Sequence, residues 1–460
     1  MTQKNSSLSV LLPICSMGGY GDIVSAIAMG EYLESKRIPF QISFEDEKAK
    51  EKFKLINSNS KWSVYDDDCS KRNKDKNVIS ICSVGDGRDK KQKKRTDQFL
   101  YISEYDSDDR VFNQFNAMFN VKTGFRFDSS EKKYVQSGIY MRNDLQSLLD
   151  RIDLAKNSDE ELKFVRTEVL DSLTKSISDK YLGAIDNHST LIKFQKEKER
   201  IVASDWSLAY SSSLGTKWSF LDVVAKASFK LDKELYVFVP MNSVDLDSEC
   251  YFNAKVKQYP FSFFDFNELS LIKRDSPVTI LKFDNIPDYL FKQITACTSS
   301  LSLVTGDHSL SQMMQKGLSK SPTPFFYQMP NWKQRLGYNL HLHMKKTSAH
   351  AAELFGGYIN MQNQDVCSPG YLGSYMHLFN NFSTDQNEMA KLFYQKNAIA
   401  DYNNAIVNIK NSFIEQRKDV GIKKARLLWS VQDTVGYIVK GLLNGAEEKE
   451  LLSPLLPKQK

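Results

Sequence analysis

The feature that most constrains this chain is its opening, in which a strand-length apolar segment, a glycine turn, a helical pattern and a second strand follow one another. Leu8 to Cys15 (LSVLLPIC) is apolar almost throughout and does not alternate. A strand with one wet face would alternate, so this one is expected to be covered on both faces, as in a parallel sheet. Gly18, Gly19 and Gly21 come next, and Ile23, Ala26, Ile27, Gly30 and Leu33 then fall at helical spacing. Arg37 to Phe44 (RIPFQISF) reads as the second strand. Such a β-α-β start implies a parallel sheet with a right-handed crossover.

The same grammar recurs along the chain. Val78–Cys82 and Phe99–Ile102 are strand-like, and the charged stretches at 66–76 and 90–95 read as surface loops around them. Between 141 and 200, Leu145, Leu148, Leu149, Ile152 and Leu154 mark amphipathic helices. From 201 the texture changes. SDWSLAYSS reads as strand and turn, Glu234 to Pro240 and Val278 to Phe283 as strands, and a helix runs toward Thr295. Leu301 to Val304, a further helix and Pro324 to Tyr327 then give a second doubly wound unit. After 385 strand signals end, and Leu427, Leu428, Val431, Val435, Ile438 and Leu442 mark one helical face. A chain of 460 residues exceeds the ~250–300 at which single cores stop growing. The expectation is therefore α/β: one domain over 1–200, a second over 201–384 and a helical tail over 385–460.

Composition narrows the function classes. No apolar run approaches the ~20 residues of a membrane span, and the start lacks a secretory pattern, so a soluble, cytoplasmic protein is expected. The six cysteines carry no CxxC pair, which favours reduced thiols over zinc or a disulfide framework. Sixty-two basic against 56 acidic residues make no case for nucleic acid. The basic run Lys90 to Arg95 has no interleaved aromatics; it reads as a solvated loop, with a phosphate or acidic-partner contact as the alternative. His341, His343 and His350 lack a nearby acid, so packing or surface roles are the default over a metal site.

Two turns carry chemistry. In Gly18-Gly19-Tyr20-Gly21-Asp22-Ile23 the glycines permit close backbone approach, and the following helix offers amides and a positive dipole end. The dinucleotide fingerprint GxGxxG is absent. Asp22 stands at the carboxyl end of the first strand, where it can accept a proton from an attacking group. It is equally suited to capping the helix. In Val304-Thr305-Gly306-Asp307-His308-Ser309-Leu310-Ser311 a strand feeds a turn and a helix closed by Gly317. Such a turn can seat a diphosphate, with Thr305, Ser309 and Ser311 as donors and Asp307 facing ribose or sugar hydroxyls. Lys333 and Arg335 downstream can neutralise phosphate. An ordinary capped helix is the competing reading. Trp206 to Tyr210 (WSLAY) offers aromatics for a nucleobase or for the core. Glu104 and Tyr105 end a strand where an acceptor can lie, or have no role.

Taken in order, GGYGDI, WSLAY and VTGDHSLSQMMQKG with PFFYQMPNWK resemble glycosyltransferases of the GT-B architecture. Among these the nearest likeness is to bacterial protein-arginine rhamnosyltransferases, over roughly residues 8–380. The resemblance implies two Rossmann-like doubly wound domains facing across a cleft, and metal-independent transfer from a nucleotide-sugar donor to an acceptor, in these relatives a protein side chain. It implies Asp22 as catalytic base and Tyr210, Asp307 and Ser309 as donor-site positions; from the residue pattern Gly19, Gly21, Thr305, Gly306, Leu310, Ser311 and Lys333 are expected on the donor side as well, and Tyr20 and Glu104 on the acceptor side. Two departures stand out: Gly18 occupies the place of a second aspartate, and His308 that of an acid in the donor motif. The C-terminal Glu447, Glu448 and Glu450 resemble the glutamate-rich signals of bacterial effectors translocated into host cells, and a solvated acidic cluster fits them as well. A sugar-nucleotide epimerase or hydrolase, and a binding protein on the same fold without chemistry, are the alternatives.

Overall fold

The computed structural model describes residues 8–15, 21–57, 61–65, 78–83, 98–105, 119–124, 135–136, 138–155, 157–181, 188–211, 214–241, 259–266, 270–283, 287–328, 334–346, 348–349, 351, 386–419 and 430–452. In chain order the first elements are β1 (Ser9–Ile14), α1 (Gly21–Ser35), β2 (Phe40–Phe44), α2 (Glu47–Ile56), β3 (Val78–Ser83), β4 (Gln98–Tyr105), β5 (Phe119–Thr123) and β6 (Val135–Gln136). Three helices follow: α3 (Asn143–Leu154), α4 (Ser158–Tyr181) and α5 (His188–Ala203). Then come β7 (Asp205–Leu208), α6 (Leu214–Ser228), β8 (Leu235–Pro240), β9 (Ser262–Asp265), β10 (Ser270–Ile272), β11 (Val278–Phe283), α7 (Asp288–Cys297), β12 (Ser302–Thr305), α8 (Asp307–Lys316) and β13 (Phe325–Gln328). The last elements are α9 (Gln334–Lys345), α10 (Gln386–Ala390), α11 (Lys396–Asp419), α12 (Val431–Leu443) and α13 (Glu448–Leu452). The chain divides into two compact units, one of residues 1–143 with 409–460 and one of residues 144–408.

The first unit is built on a six-stranded sheet in the order β2-β1-β3-β4-β5-β6, every pair parallel. The unbroken apolar pattern of β1 has the expected cause, because Val10, Leu11, Leu12 and Ile14 are all buried. Pro13 lies inside this central strand, where a missing donor is usually excluded. Pairing of β1 with β3 ends at Leu11, two residues earlier, so on that side the ladder has already stopped where the donor is lost, while pairing with β2 runs on to Ile14. Helix α1 is buried over Ile23, Ala26, Ile27, Met29, Gly30 and Leu33. On its other side α12 packs with Val435, Ile438, Val439 and Leu442 turned inward. The tail helix thus belongs to this unit's core. Ser430 caps α12 by accepting from the Asp433 amide at 3.0 Å, and the Tyr32 hydroxyl donates to the Asp433 carboxylate at 3.0 Å.

The second unit has a five-stranded sheet in the order β10-β9-β11-β8-β7, parallel except for β10 against β9. A two-stranded parallel pair, β12-β13, continues the row from β7. The join is a bridge between Ala209 and Leu303, and the Tyr210 amide donates to the Leu303 carbonyl at 2.8 Å. Side chains complete the seam: the Ser207 hydroxyl donates to the Leu301 carbonyl at 2.6 Å, and the Ser302 hydroxyl oxygen accepts from the Leu208 amide at 3.1 Å. Trp206 is fully buried, with the Arg166 guanidinium 4.9 Å over its ring. Arg166 donates to the carbonyls of Val202, Ser204 and Cys297, tying α4 to the start of β7 and the end of α7. The helices at 143–203, read from sequence with the first domain, make these contacts in the second unit. Among the described residues no helix is long and apolar enough to cross a membrane.

Candidate functional site

In an open parallel sheet, ligands gather outside the carboxyl ends of the strands where the order reverses. Each unit has such a point. In the first, the chain passes from β1 outward to β2 and then returns to β3 on the other side of β1. In the second, it runs from β7 through β8 toward β11 and returns to β12 on the other side of β7. The turns singled out in the sequence lie at these two reversals.

At the first reversal β1 ends at Ile14 and α1 begins at Gly21. Gly19 and Tyr20, with Gly18, lie outside the described residues. Asp22 is half-buried and stands inside the first turn of α1 rather than ahead of it, so its carboxylate complements the positive helix end. A Cβ on Gly21 would meet nothing within 4 Å, so the backbone here borders open space. The Cys15 thiol is pushed up to about 12, first by burial and then by the carboxylates of Asp22 and Glu45 and by Cys82. That places two acids, Asp22 and Glu45, near the ends of β1, β2 and β3. Cys15 is a protonated thiol in this setting and a poor nucleophile. Glu104 is the penultimate residue of β4, and its side chain lies outside the described residues.

At the second reversal the ends of β7, β12 and β13 meet. Tyr210 follows β7, is half-buried and packs edge-on against Phe291 at 5.0 Å. Ser211 donates to the Gln328 side-chain oxygen at 3.0 Å, and Thr305 donates to the Gln328 carbonyl at 3.1 Å. Gly306 adopts φ +82°, a left-handed conformation suited to glycine, and leaves open space where a Cβ would stand. It is the N-cap of α8 and gives no side-chain cap, so the first amides of α8 are not closed off by one. Asp307 is half-buried in that first turn, and Ser309 and Ser311 are buried on the same helix. Leu310 differs from the others: its side chain is fully buried and its amide donates to the Gly306 carbonyl at 3.0 Å, so its part is packing. Lys333 lies outside the described residues, as do the side chains of Arg335, His341 and His350, while His343 is buried.

Sequence reasoning missed Ser211, Gln328 and Lys217. Lys217 sits in the first turn of α6 and is 2% exposed. Its ammonium donates to the carbonyl of Pro240, the last residue of β8, at 3.1 Å, and lies 3.7 Å from the Met241 sulfur. Burial alone brings it down to about 8. The sequence carried no signal for Lys217, because Gly215 already lies inside α6 and a lysine in a first helical turn reads as solvated.

A cavity of about 270 Å³ opens at the opposite, amino edge of the second sheet, with Phe264 and Leu281 in its floor. Four of its charges pair with one another: Arg200 meets Glu234 at 2.6 and 2.7 Å, and Lys273 pairs with Glu197. Parallel sheets of this class bind at the other edge, so the carboxyl edge is taken as the site. The chain matches no protein-family model and, at a significant level, no curated protein.

Proposed function

We propose that this protein is a glycosyltransferase that moves a sugar from a nucleotide-sugar donor to an acceptor nucleophile. The observation that carries the reading is the composition of the second reversal. A half-buried aromatic, Tyr210, stands beside Thr305, a left-handed glycine and the uncapped amino end of α8. An aromatic face suits a nucleobase, and helix amides with hydroxyls suit a diphosphate. Asp22 supplies the base. In such a transfer the acceptor atom bonds to the anomeric carbon, the carbon–oxygen bond to the diphosphate breaks and the acceptor's proton goes to a base, the part the resemblance gives to Asp22. The departing charge then falls on the α8 amides, Thr305 and Ser309.

Thermal-shift titration against nucleotide-sugars and their nucleoside diphosphates tests the donor half, because a ligand binding only the folded chain raises Tm by mass action. A hit then allows a search for sugar transfer. Asp22→Asn is expected to lower kcat by about 10²- to 10⁴-fold with donor affinity nearly unchanged. Loss of donor binding in that variant removes Asp22 from the role of base, and a flat panel from well-folded protein removes the reading altogether.

A further inference from the structure

Lys217 presents an electrostatic problem that the described protein does not solve. Its ammonium has three protons to donate, and its partners are one carbonyl oxygen and one thioether sulfur, both neutral. A buried charge without an anion is costly, and proteins retain one where something compensates it. Among the described residues, the acidic side chains on the neighbouring elements are engaged elsewhere. Asp222, further along α6, accepts from the Tyr259 hydroxyl, and Asp265 on β9 is paired with Lys282 at 2.8 Å. The lysine also sits in a telling place. Its tip reaches the carboxyl end of β8, the strand next to β7, while the turn at Thr305 and Gly306 stands at the end of β12 on the other side of β7. Strands are spaced ~4.8 Å, so the two lie about 10 Å apart across one strand end, within the reach of a single nucleotide-sized ligand.

We propose that Lys217 is an anion anchor, a second phosphate-binding group that meets a phosphoryl oxygen of the ligand at the β7 reversal from the side opposite α8. This rests on the reading of that reversal as a diphosphate site, and it needs neither a sugar nor a transfer step. A phosphoryl oxygen accepts a hydrogen bond from the ammonium proton left without an acceptor and supplies the missing negative charge.

The test uses inorganic pyrophosphate and ADP, GDP, UDP and dTDP, titrated calorimetrically into the full chain and into Lys217→Met. Methionine keeps the length and apolarity of the buried stem and removes the charge. The proposal expects Kd in the variant to rise about ten- to a hundred-fold, with the Tm of the unliganded protein unchanged or higher. Equal affinity in both proteins overturns it, as does a lower unliganded Tm with unchanged affinity, which marks a purely structural lysine. Should Lys217→Met fail to fold, the wild type still decides. Binding should weaken roughly tenfold per pH unit once the pH passes about 8, where the free lysine loses its proton. Pyrophosphate affinity without such a slope overturns the proposal. A protein that binds pyrophosphate through Lys217 yet accepts no nucleotide-sugar keeps this inference and loses the proposed function.

Discussion

At the scale of single residues, the second unit holds a second buried lysine with the opposite solution. Lys282 on β11 and Asp265 on β9 are register partners, both side chains fully buried, and they pair at 2.8 Å. Such a pair contributes little net stability, yet removing one member strands the other charge away from water. Lys282→Met is expected to cost about 3–5 kcal/mol, whereas Lys282→Met with Asp265→Leu should come back to near wild-type stability. Urea unfolding of the three proteins checks this; equal losses in the single and double variants would mean that packing, not charge, sets the cost. Gly21 allows a sharper functional test. Because its Cβ position borders open space, Gly21→Phe should leave the unfolding free energy within about 0.5 kcal/mol of wild type, as surface substitutions usually do. The same ring would occupy the approach to Asp22, so the proposed transfer is expected to drop at least tenfold. A normal kcat/KM in Gly21→Phe would move the reacting atoms away from the α1 turn.

At the scale of elements, the close seat of α12 on α1 depends on one missing side chain. A Cβ on Gly436 would stand 2.6 Å from the Tyr32 hydroxyl and from its ring. Tyr32 cannot swing away cheaply, because it is buried and tethered to Asp433. Gly436→Ala is therefore expected to destabilise by about 1–3 kcal/mol, read as a lower urea midpoint. An unchanged midpoint would show that Tyr32 relaxes and that the tether is worth little. The apolar stripe of α12 was legible in the sequence, but not that it covers α1, because a stripe says only that something must cover it. The same blindness applies to α3–α5, whose faces carry no mark of the sheet they serve. Strands β1, β2, β3, β4, β7, β8, β11, β12 and β13 could be read because apolar runs met glycine, proline, turn or helix signals. By contrast β9 and β10 hid in a phenylalanine-rich stretch without such punctuation, and β6 has two residues. Tyr210, Thr305, Gly306 and Asp22 were visible through the strand–turn–helix pattern. Lys217 was not, since a lysine in a first helical turn reads as solvated unless the end of β8 is known to lie over it.

At the scale of the whole molecule, the displaced protonation equilibria combine into a stability profile with a definite shape. Lys217 and Lys316 are buried and held at about 8 against an ordinary 10.5, in both cases chiefly by burial. A folded pKa below the unfolded one means that the unfolded chain binds more protons between the two values. The penalty for the two charges is complete below pH 8 and is relieved as the pH rises toward 10.5, by on the order of 3 kcal/mol at most for each lysine. Cys15 and Cys297 act in reverse. Their thiols are pushed from 9.0 up to about 12, mainly by burial, so the stability they give is intact below pH 9 and is lost from there upward. Tyr236, raised from 10.0 to about 12 with burial the main cause, adds to that loss above pH 10, as does Tyr32, raised by burial and by Asp433. Among these groups the lysines act alone between pH 8 and 9, meet the cysteines between 9 and 10, and are overtaken above 10. Tm measured by calorimetry in 0.5-unit steps should rise by a few degrees from pH 7.5 to 9, level off and then fall. In Lys217→Met with Lys316→Met the rise should vanish, and the unliganded Tm at pH 7.5 should already match or exceed that of the wild type. A wild-type Tm that declines steadily from pH 7.5 would mean that both ammonium groups find compensating charge in the ligand-free protein, which would also remove the reason for Lys217 to seek an anion.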